Sequence, residues 1–413
     1  MKKRKVLIVH PHFPGQFRHI AAVLAGRPDV ELKCCGGSMS QGLRGVPVER
    51  FAVQQPVVRS TQPSLRQMEQ CMQRGQALAR ELRQFAARGF EPDVILAHPG
   101  WGEMMYARDL FPRARLVHLC EWYHSSLAGE DEFDPEFPLD TETRLRARTF
   151  NALHALNLEL CDLGITPTRW QRSRHPQAYW PKIEVVHEGV DAELYRPDGQ
   201  ASCRLPDGTI LHAGEPVITF VARALEPARG IHVFLRALEH LQKRHKSCQA
   251  VIVGGEPSAS GRPASEATRW RDQLMRELSI DRSRIHFTGW LGNENCRRVL
   301  QVSALHVHLS YPFLPSQSML EAMASGCLLL ASDTPPVREY VDDGVSGMLV
   351  DFHHPLALAE RALEALCSAL DDTEAMRAAA RRAVQQRCNI ETGVQRYLEL
   401  MGLEREVVCE AAA

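Results

Sequence analysis

The chain has 413 residues, of which 44% are hydrophobic and 24% charged, and its formal net charge at pH 7 is −1. This length accommodates two domains with separate cores. Because the positive and negative charges nearly cancel, the net charge gives no reason to expect a nucleic-acid partner. No apolar run approaches the length of a membrane span, and the run at residues 6–9 is too short for a signal peptide. These features predict a cytoplasmic protein.

The twelve cysteines are scattered and include no Cys-x-x-Cys spacing. This distribution argues against a disulfide framework and against a structural zinc site, and it favours buried thiols in a reducing compartment. His306 and His308 share one face of a predicted strand. Lining of a core or crevice is the favoured interpretation of this pair, ahead of metal binding.

Short apolar runs alternate with helical patterns in each half of the chain, which is typical of two doubly wound parallel sheets. In the first half, strands are predicted at residues 6–9, 30–33, 94–97, 116–119, 163–166 and 183–186. Helices are predicted between them at residues 16–25, 64–87 and 141–161. The nearly continuous apolarity of the strands suits sheets that are covered on both faces.

The second half repeats this scheme after residues 189–216, a stretch rich in Pro, Gly and Asp that is predicted to be the interdomain linker and a lead-in to the second sheet. Its strands are predicted at residues 217–221, 250–253, 285–288, 304–309, 327–330 and 348–350. Its helices are predicted at residues 231–243, 265–278, 294–302, 356–370 and 373–386, with a last helix at 390–401 and a frayed end at 409–413.

The most informative stretch follows the fourth strand of the second half. A loop containing proline leads into a short helical pattern, with Ser316 placed as N-cap and Gly326 as the left-handed residue that ends the helix. Free N–H groups at such a helix start form an anion site. Arg223 and Arg229 add two permanent cations, and Glu321 can accept hydrogen bonds from a sugar diol. A diphosphate joined to a ribose suits this combination best.

At these residues the sequence resembles the retaining glycosyltransferases of family 4. The Gly-Arg…Glu-Pro-x-Lys-Gly segment of that family is similar to Ala-Arg-Ala-Leu-Glu-Pro-Ala-Arg-Gly at 222–230, and its Glu-Ala-Met-Ala-x-Gly helix is matched at 321–326. Downstream, the Pro and Glu of the family pattern are matched at 336–339 and its Gly-x-x-Gly turn at 344–347. The resemblance covers roughly residues 215–390, and the first half only in outline.

The resemblance implies the α/β architecture called GT-B, in which two Rossmann-like doubly wound domains face a cleft. The expected domains are residues 1–195, which would bind the acceptor, and residues 196–389, which would bind the nucleotide sugar. Residues 390–413 would form a helix that crosses back to the first domain. The reaction implied is transfer of a sugar from a UDP- or GDP-sugar, with retention of the anomeric configuration.

The family pattern also assigns roles to residues of the second half. Arg223 and Arg229 would stabilise the leaving diphosphate as catalytic residues, with Glu226 lining the same site. The alternative is that both arginines are surface residues that pair with Glu226. Glu321 would bind the ribose hydroxyls. The remaining expected contacts are the amides of Ser318, Met319 and Leu320 on the phosphates, and Gly289 and Trp290 beside the base.

One position departs from the family pattern. Eight residues before Glu321 the family has a glutamate that contacts the donor sugar, whereas this chain has Phe313. A phenyl ring cannot accept a sugar hydroxyl's hydrogen bond as a carboxylate does. Either the sugar is held by neighbours such as Ser316 or Ser310, or catalytic ability is reduced.

Candidate residues of the first half follow its predicted strands. Gly15 fits the family's glycine loop near the donor phosphate or the acceptor, although a tight turn needs glycine in any case. Glu121 falls where many family members have a histidine; it could orient the donor sugar or act on the acceptor hydroxyl, or it could be an ordinary loop carboxylate. His98 and His124 are further candidates for substrate contact.

No cofactor is expected, and no Asp-x-Asp metal signature stands in a suitable loop, so the arginines would take the place of a metal ion. The expected partners are a nucleotide-sugar donor and a glycan, lipid-linked or small-molecule acceptor. Arg66, Arg74, Arg80, Arg83 and Arg88 lie on or just after one predicted helix. A solvated face is favoured for it because aromatic anchors are nearly absent, and peripheral contact with the inner face of a membrane is the alternative.

Two other classes of function stay open. A nucleotide-sugar epimerase or a phosphorylase can share this fold, although the Glu-Ala-Met-Ala-Ser-Gly helix counts against the epimerase. A catalytically silent sugar-nucleotide-binding subunit is compatible with Phe313. A dehydrogenase is disfavoured because the first strand–helix turn lacks Gly-x-Gly-x-x-Gly.

Overall fold

The computed structural model describes residues 3–53, 65–124, 133–255 and 264–404. These residues form two compact units. The first unit contains the described residues up to 124, together with Pro138–Gly189 and the C-terminal helix Ile390–Leu400. The second contains Val190–Asn389 and the short segment Phe133–Phe137. The division after Gly189 lies six residues before the predicted boundary, and the sequence had assigned Phe133–Phe137 to the first domain.

The first unit is built on a seven-stranded parallel sheet with the order β3-β2-β1-β4-β5-β6-β7. The strands are β1 (Arg4–His10), β2 (Val30–Gly37), β3 (Val48–Phe51), β4 (Val94–Ala97), β5 (Arg115–Leu119), β6 (Leu163–Thr166) and β7 (Ile183–Val185). All of these except β3 were predicted. Strand β4 is buried at every position, which matches its uninterrupted apolar sequence.

Six helices belong to this unit: α1 (Arg18–Ala25), α2 (Arg66–Ala87), α3 (Ala107–Leu110), α4 (Thr141–Leu160), α5 (Arg169–Arg174) and α13 (Ile390–Leu400). The arginine-rich helix α2 buries Cys71, Leu78, Leu82 and Phe85 at helical spacing and turns most of its arginines to solvent. Its predicted start at Ser64 lies outside the described residues. None of the helices in the described ranges is long and apolar enough to cross a membrane.

The second unit contains a six-stranded parallel sheet with the order β12-β11-β10-β13-β14-β15. Its strands are β10 (Val217–Ala224), β11 (Gln249–Gly255), β12 (Ile285–Gly289), β13 (Leu305–His308), β14 (Leu328–Ser332) and β15 (Met348–Val350). Its helices are α6 (Ile231–Arg244), α7 (Ala264–Glu277), α8 (Asn293–Gln301), α9 (Gln317–Ala324), α10 (Pro335–Arg338), α11 (Pro355–Cys367) and α12 (Leu370–Arg387).

The stretch predicted to be a linker is part of the second unit. It contains an antiparallel hairpin, β8 (Ser202–Arg204) and β9 (Ile210–His212). Cys203 and Leu211 from this hairpin are buried against Val217, Val251 and Val299. This hairpin was not predicted within the lead-in, because strands of three residues are too short to show an alternating pattern.

Each sheet reverses its strand order once, between β1 and β4 in the first unit and between β10 and β13 in the second. In open parallel sheets, ligands bind outside the carboxyl ends of the strands at such a reversal. The loops that follow these four strands are therefore where each unit offers a binding site.

Candidate functional site

In the second unit, Arg223 lies at the carboxyl end of β10, beside the reversal of strand order. Its side chain is exposed, and it forms no hydrogen bond or ion pair with any residue that the structure describes. The interpretation that pairs Arg223 with Glu226 is therefore wrong. A guanidinium that is left exposed in this way remains available for an anion.

Arg229 lies in the turn between β10 and α6, next to the loop that follows β13. Its Cζ atom lies 5.8 Å from the centre of the Phe313 ring, a distance at which cation and ring attract. A backbone hydrogen bond of 2.9 Å from Tyr311 to Ala228 joins the two loops. Gly230 makes the turn possible because its φ is +70° and because a Cβ there would lie 2.4 Å from Leu309 Cβ.

His308 ends β13 beside this turn. Burial, together with the neighbouring His306 and Arg229, lowers its pKa to about 3, so the ring is neutral at pH 7. Burial also lowers the pKa of His306 to about 3. His306 Nδ1 lies 2.9 Å from Thr219 Oγ1 within the sheet. These two histidines line the core and the floor of the site, as the sequence suggested.

Helix α9 begins where the sequence placed it, with Ser316 as N-cap and Gly326, at φ +80°, just beyond its end. Among the described residues, no backbone N–H of the first turn of α9 donates a capping hydrogen bond to the Ser316 side chain. Its hydroxyl lies instead 2.7 Å from Ser318 Oγ. Ser318 Oγ in turn donates to Val221 O at 3.3 Å, which ties the helix start to the end of β10, two residues before Arg223.

The expected row of free amides at the start of α9 is shorter than predicted. The amides of Met319 and Leu320 both donate to Ser316 O, at 3.0 and 3.4 Å, and both side chains are fully buried. Their positions in the first complete turn explain this, because helical bonding begins there. Of the three predicted amides, Ser318 alone donates no hydrogen bond to another described residue. Glu321 is half-buried in the second turn, close enough to Cys296 to raise the pKa of that thiol together with its burial.

Trp290 stands at the end of β12, and its side chain is 66% exposed. Gly289 precedes it with a φ of +66°. A Cβ on Gly255 would lie 1.8 Å from Trp290 Nε1, so the indole occupies the space that this glycine leaves at the end of β11. The indole thus offers an exposed ring at the same sheet edge as Arg223.

The first unit gathers polar side chains at its own reversal of strand order. His98 follows β4, and its Nε2 lies 3.3 Å from Glu121 Oε2. Gln16 donates to Glu121 Oε1 at 2.9 Å and lies 2.7 Å from His10 Nε2. Gly15 has a φ of +49°, and a Cβ there would lie 2.2 Å from the His10 ring. This glycine is therefore required locally, whatever it contacts in a ligand. The sequence had not singled out His10 and Gln16 as site residues.

Burial alone would raise the pKa of Glu121, but the hydrogen bond and charge of His98, with His10 and Gln16, lower it. Burial alone would lower the pKa of His98, yet Glu121 raises it. Burial lowers the pKa of His10 to about 3. Glu121 is therefore a carboxylate whose two oxygens are both engaged by neighbouring side chains.

His124 belongs to a different group of side chains. Its backbone N–H donates to Asn151 Oδ1 at 2.9 Å, and Trp122 Nε1 donates to its Nδ1 at 3.3 Å. Its ring lies 5.8 Å from that of His154, on α4. The structure thus brings His98 and Glu121 together and places His124 in a separate aromatic group.

Family models match both halves of the chain. A model of the glycosyl transferase family 4 group matches residues 29–195, and one of the group 1 glycosyl transferases matches residues 215–368. The D-inositol 3-phosphate glycosyltransferase of Nocardia farcinica is 33% identical over 205 residues, which are 49% of this chain and 43% of that protein. The enzyme of the same name from Corynebacterium efficiens is 29% identical over 72% of this chain and 68% of its own. The chain thus spans less than half of the Nocardia protein.

Solved structures resemble the chain over almost its entire length. Anabaena Alr3699/HepE in complex with UDP-glucose has a TM-score of 0.68 at 18% identity, covering 96% of this chain and 99% of its own. Sucrose-phosphate synthase from Thermosynechococcus elongatus has a TM-score of 0.71 at 19% identity, covering 97% and 100%. These likenesses confirm the predicted α/β fold of the GT-B class. With a family model matching each half, the chain carries a domain of the glycosyl transferase family 4 group and a domain of the group 1 glycosyl transferases.

Proposed function

We propose that the chain transfers a sugar from a nucleotide-diphosphate sugar to a hydroxyl group of an acceptor, with the donor bound in the second unit. The observation that carries this proposal is the exposed Arg223, without a partner among the described residues, at the strand reversal where α9 begins. UDP-sugars are the first donors to consider, because HepE was solved with UDP-glucose, and GDP-sugars are the alternative.

The arginines act on the leaving group in this proposal. Transfer breaks the bond between the sugar C1 and the phosphate oxygen, whose electron pair stays on the diphosphate, while C1 bonds to the acceptor oxygen and the acceptor hydroxyl releases its proton. Arg223 and Arg229 face the negative charge that builds on the diphosphate. Their permanent charge replaces that of a metal ion, so no divalent cation is required.

The nucleoside is held by the residues on either side of the arginines. Glu321 accepts hydrogen bonds from the ribose hydroxyls, and Ser318 N–H donates to a phosphate oxygen. Trp290 provides an exposed ring beside the base. Glu226, in the turn that carries Arg229, lines the same side of the site.

Phe313 bears on how the donor sugar is held. Its ring centre lies 5.8 Å from Arg229 Cζ and attracts that cation, whereas a carboxylate at the same position would neutralise it. The sugar hydroxyls are then bound by other groups, of which Ser316 and Ser310 on the same loop are the nearest in sequence.

The first unit binds the acceptor in this proposal. Glu121 and His98 lie at its strand reversal, and the lowered pKa of Glu121 keeps it anionic and suited to accept a hydrogen bond from a hydroxyl. Because the relatives are named for D-inositol 3-phosphate, a polyol phosphate is the first acceptor to test, with glycans and lipid-linked sugars next. Retention of the anomeric configuration and a cytoplasmic location complete the proposal, with peripheral membrane contact through α2 as the alternative to a solvated helix face.

Transfer is tested with purified full-length chain, a panel of UDP-, GDP- and ADP-sugars, and D-inositol 3-phosphate as acceptor. Release of the nucleoside diphosphate is followed with and without acceptor, and also after addition of EDTA. The proposal predicts acceptor-dependent release from a UDP- or GDP-sugar that EDTA does not reduce and that Arg229→Ala abolishes. Donor binding without turnover for any acceptor would instead favour a silent binding subunit, which Phe313 keeps as the second candidate. Absence of binding by every donor would contradict both.

A further inference from the structure

Five residues that lie between β5 and α4 in the sequence pack within the second unit. This segment, Phe133–Phe137, is called the insert segment here. Glu136 forms two hydrogen bonds with the Arg236 guanidinium on α6, both of 2.6 Å. Phe137 packs edge-on to His232 with ring centres 5.0 Å apart. The insert segment is therefore anchored to the helix that follows the Arg229 turn.

Asp134 is the most buried charged residue of the insert segment, with an exposure of 4%. Its Oδ2 accepts a hydrogen bond from Tyr311 Oη at 2.8 Å and lies 3.0 Å from His232 Nε2. Tyr311 lies two residues before Phe313, and His232 lies three residues after Arg229. One carboxylate oxygen thus contacts both the loop that carries Phe313 and the first turn of α6, which directly follows the Arg229 turn.

Aromatic packing holds the insert segment against Tyr311 and against the loop that follows β15. The Phe133 ring lies 5.1 Å from that of Tyr311, 5.2 Å from that of Phe352 and 4.9 Å from that of His353. Tyr311 also donates its backbone N–H to Ala228 O at 2.9 Å. The Tyr311 ring, hydroxyl and amide are therefore all engaged, and two of these three contacts come from the insert segment.

Stability alone does not account for a carboxylate at this position. Burying an ion costs free energy, and hydrogen bonds to neutral partners offset that cost only in part. Apolar side chains of similar volume often stabilise such a position as well or better. A buried acceptor with two directional contacts does, however, fix the positions of both donors. Asp134 therefore contributes geometry that an apolar residue could not.

From these contacts we infer that Asp134 is a positioning residue: it holds Tyr311 and His232 so that Phe313 and Arg229 are fixed in the arrangement that binds a nucleoside diphosphate. The inference rests on the proposed function only for the identity of the ligand. The arrangement itself concerns loops whose order can be measured without any ligand.

The test compares full-length wild type with Asp134→Ala, Asp134→Asn and Tyr311→Phe. UDP affinity is measured by calorimetry, and amide hydrogen exchange is measured without ligand in peptides covering 226–232 and 309–316. Asp134→Ala and Tyr311→Phe are expected to weaken UDP binding about tenfold, as for loss of a hydrogen bond to a charged group, and to speed exchange of the Tyr311 amide. Asp134→Asn keeps an acceptor for Tyr311 and is expected to restore most of the affinity.

Glu136→Ala is the matched control on the same segment. Its partner Arg236 lies on α6 away from both loops, and the pair is partly exposed, so UDP affinity is expected to change less than about threefold. A merely structural role for Asp134 would lower the melting temperature of Asp134→Ala while leaving UDP affinity and Tyr311 exchange unchanged, and that result overturns the inference.

Failure of the proposed function is distinguishable from failure of the inference. If wild type binds no UDP, the ligand assignment falls, and the exchange experiment still decides the role of Asp134. Tyr311→Phe removes one oxygen atom and keeps the ring, so it tests the same contact even if Asp134→Ala does not fold. Unchanged Tyr311 exchange in Tyr311→Phe overturns the inference whether or not UDP binds.

Discussion

The carboxyl edges of the two sheets differ in whether their charged side chains have partners within the protein. In the first unit, Glu121 is engaged on both oxygens by His98 and Gln16 within a largely buried group. In the second unit, the Arg223 guanidinium is exposed and has no partner among the residues described. At the strand reversal of each sheet there is thus one charged side chain. In the first unit it is hydrogen-bonded by protein groups, and in the second it is exposed to solvent.

The difference indicates which edge binds the more highly charged ligand. A cation that stays hydrated until an anion arrives costs little in the free protein and adds its attraction only in the complex. A carboxylate already held by its neighbours cannot gain as much from a ligand, but its position is well defined. This contrast supports the proposal that the second unit binds the diphosphate and the first unit the neutral hydroxyl of the acceptor.

The largest effect on the rate of sugar transfer is expected from removing an arginine at the carboxyl edge of the sheet in the second unit. Arg229→Ala should lower the rate of sugar transfer by about a hundred- to a thousandfold, because a preorganised contact to the developing charge is lost. Arg244→Ala is the control, since Arg244 is an exposed arginine in the last turn of the helix that follows Arg229. Equal rates for Arg229→Ala and wild type would remove the proposed contrast between the two edges.

Acid should destabilise both units through their buried neutral histidines. The pKa values of His306 and His308 are about 3 in the folded protein, whereas the ordinary histidine value of 6.5 applies to the unfolded chain. As the pH falls, the unfolded chain therefore binds protons before the folded protein does. Stability is therefore complete above pH 6.5 and is lost as the pH falls towards 3. Each such histidine should remove about 2 kcal/mol between pH 7 and pH 5.

Urea unfolding at several pH values measures this dependence. His308→Asn should reduce the slope of unfolding free energy against pH, whereas the same change at the exposed His354 should not. His10, whose pKa is also about 3, should produce a slope of the same sign in the first unit. A slope that is unchanged in His308→Asn would show that this ring is not buried in its neutral form.

Loss of the ribose contact should have a smaller effect. Glu321→Gln is expected to weaken UDP binding about tenfold, because a neutral amide oxygen accepts from the ribose hydroxyls more weakly than a charged carboxylate does and offers one acceptor oxygen in place of two. The analogue 2′,3′-dideoxy-UDP should bind the variant and wild type equally well, and Glu360→Gln, on the exposed face of α11, serves as the control. A tenfold loss that persists with the dideoxy analogue would place Glu321 elsewhere than on the ribose.

The smallest effect is expected at Gly255. In Gly255→Ala the new Cβ must displace the Trp290 indole, which is exposed and free to swing away, so the unfolding free energy should fall by less than about 1 kcal/mol. Tryptophan fluorescence should nevertheless change. Gly292→Ala, where nothing lies within 4 Å of the new Cβ, should leave the spectrum as in wild type. Identical spectra for the two variants would contradict the packing of the indole on Gly255.

Strands that coincide with a short apolar run bounded by turn residues were predicted closely from the sequence. Strands β4 and β6 match their predicted limits, because apolar runs bounded by turn residues define buried strands well. The hairpin β8–β9 was missed because each strand has three residues. The docking of Phe133–Phe137 on the second unit depends on partners about a hundred residues or more away in sequence, and nothing local signals it.

The candidate site was predictable in its location but less so in its contacts. Ser316, Gly326 and the Arg229 turn occupy the places that their residue types favour. The amides of Met319 and Leu320 could not be known to be occupied, because hydrogen-bond partners are set by where the first helical turn closes. The bond from Gln16 to Glu121 likewise joins residues far apart in sequence.

The structure of the full-length chain in complex with UDP tests the central claim most directly. The account predicts the diphosphate at the strand reversal of the second unit, with oxygens about 3 Å from the guanidinium groups of Arg223 and Arg229 and the ribose hydroxyls on Glu321. A nucleotide bound elsewhere, or one bound there with neither guanidinium in contact with its phosphates, would contradict it.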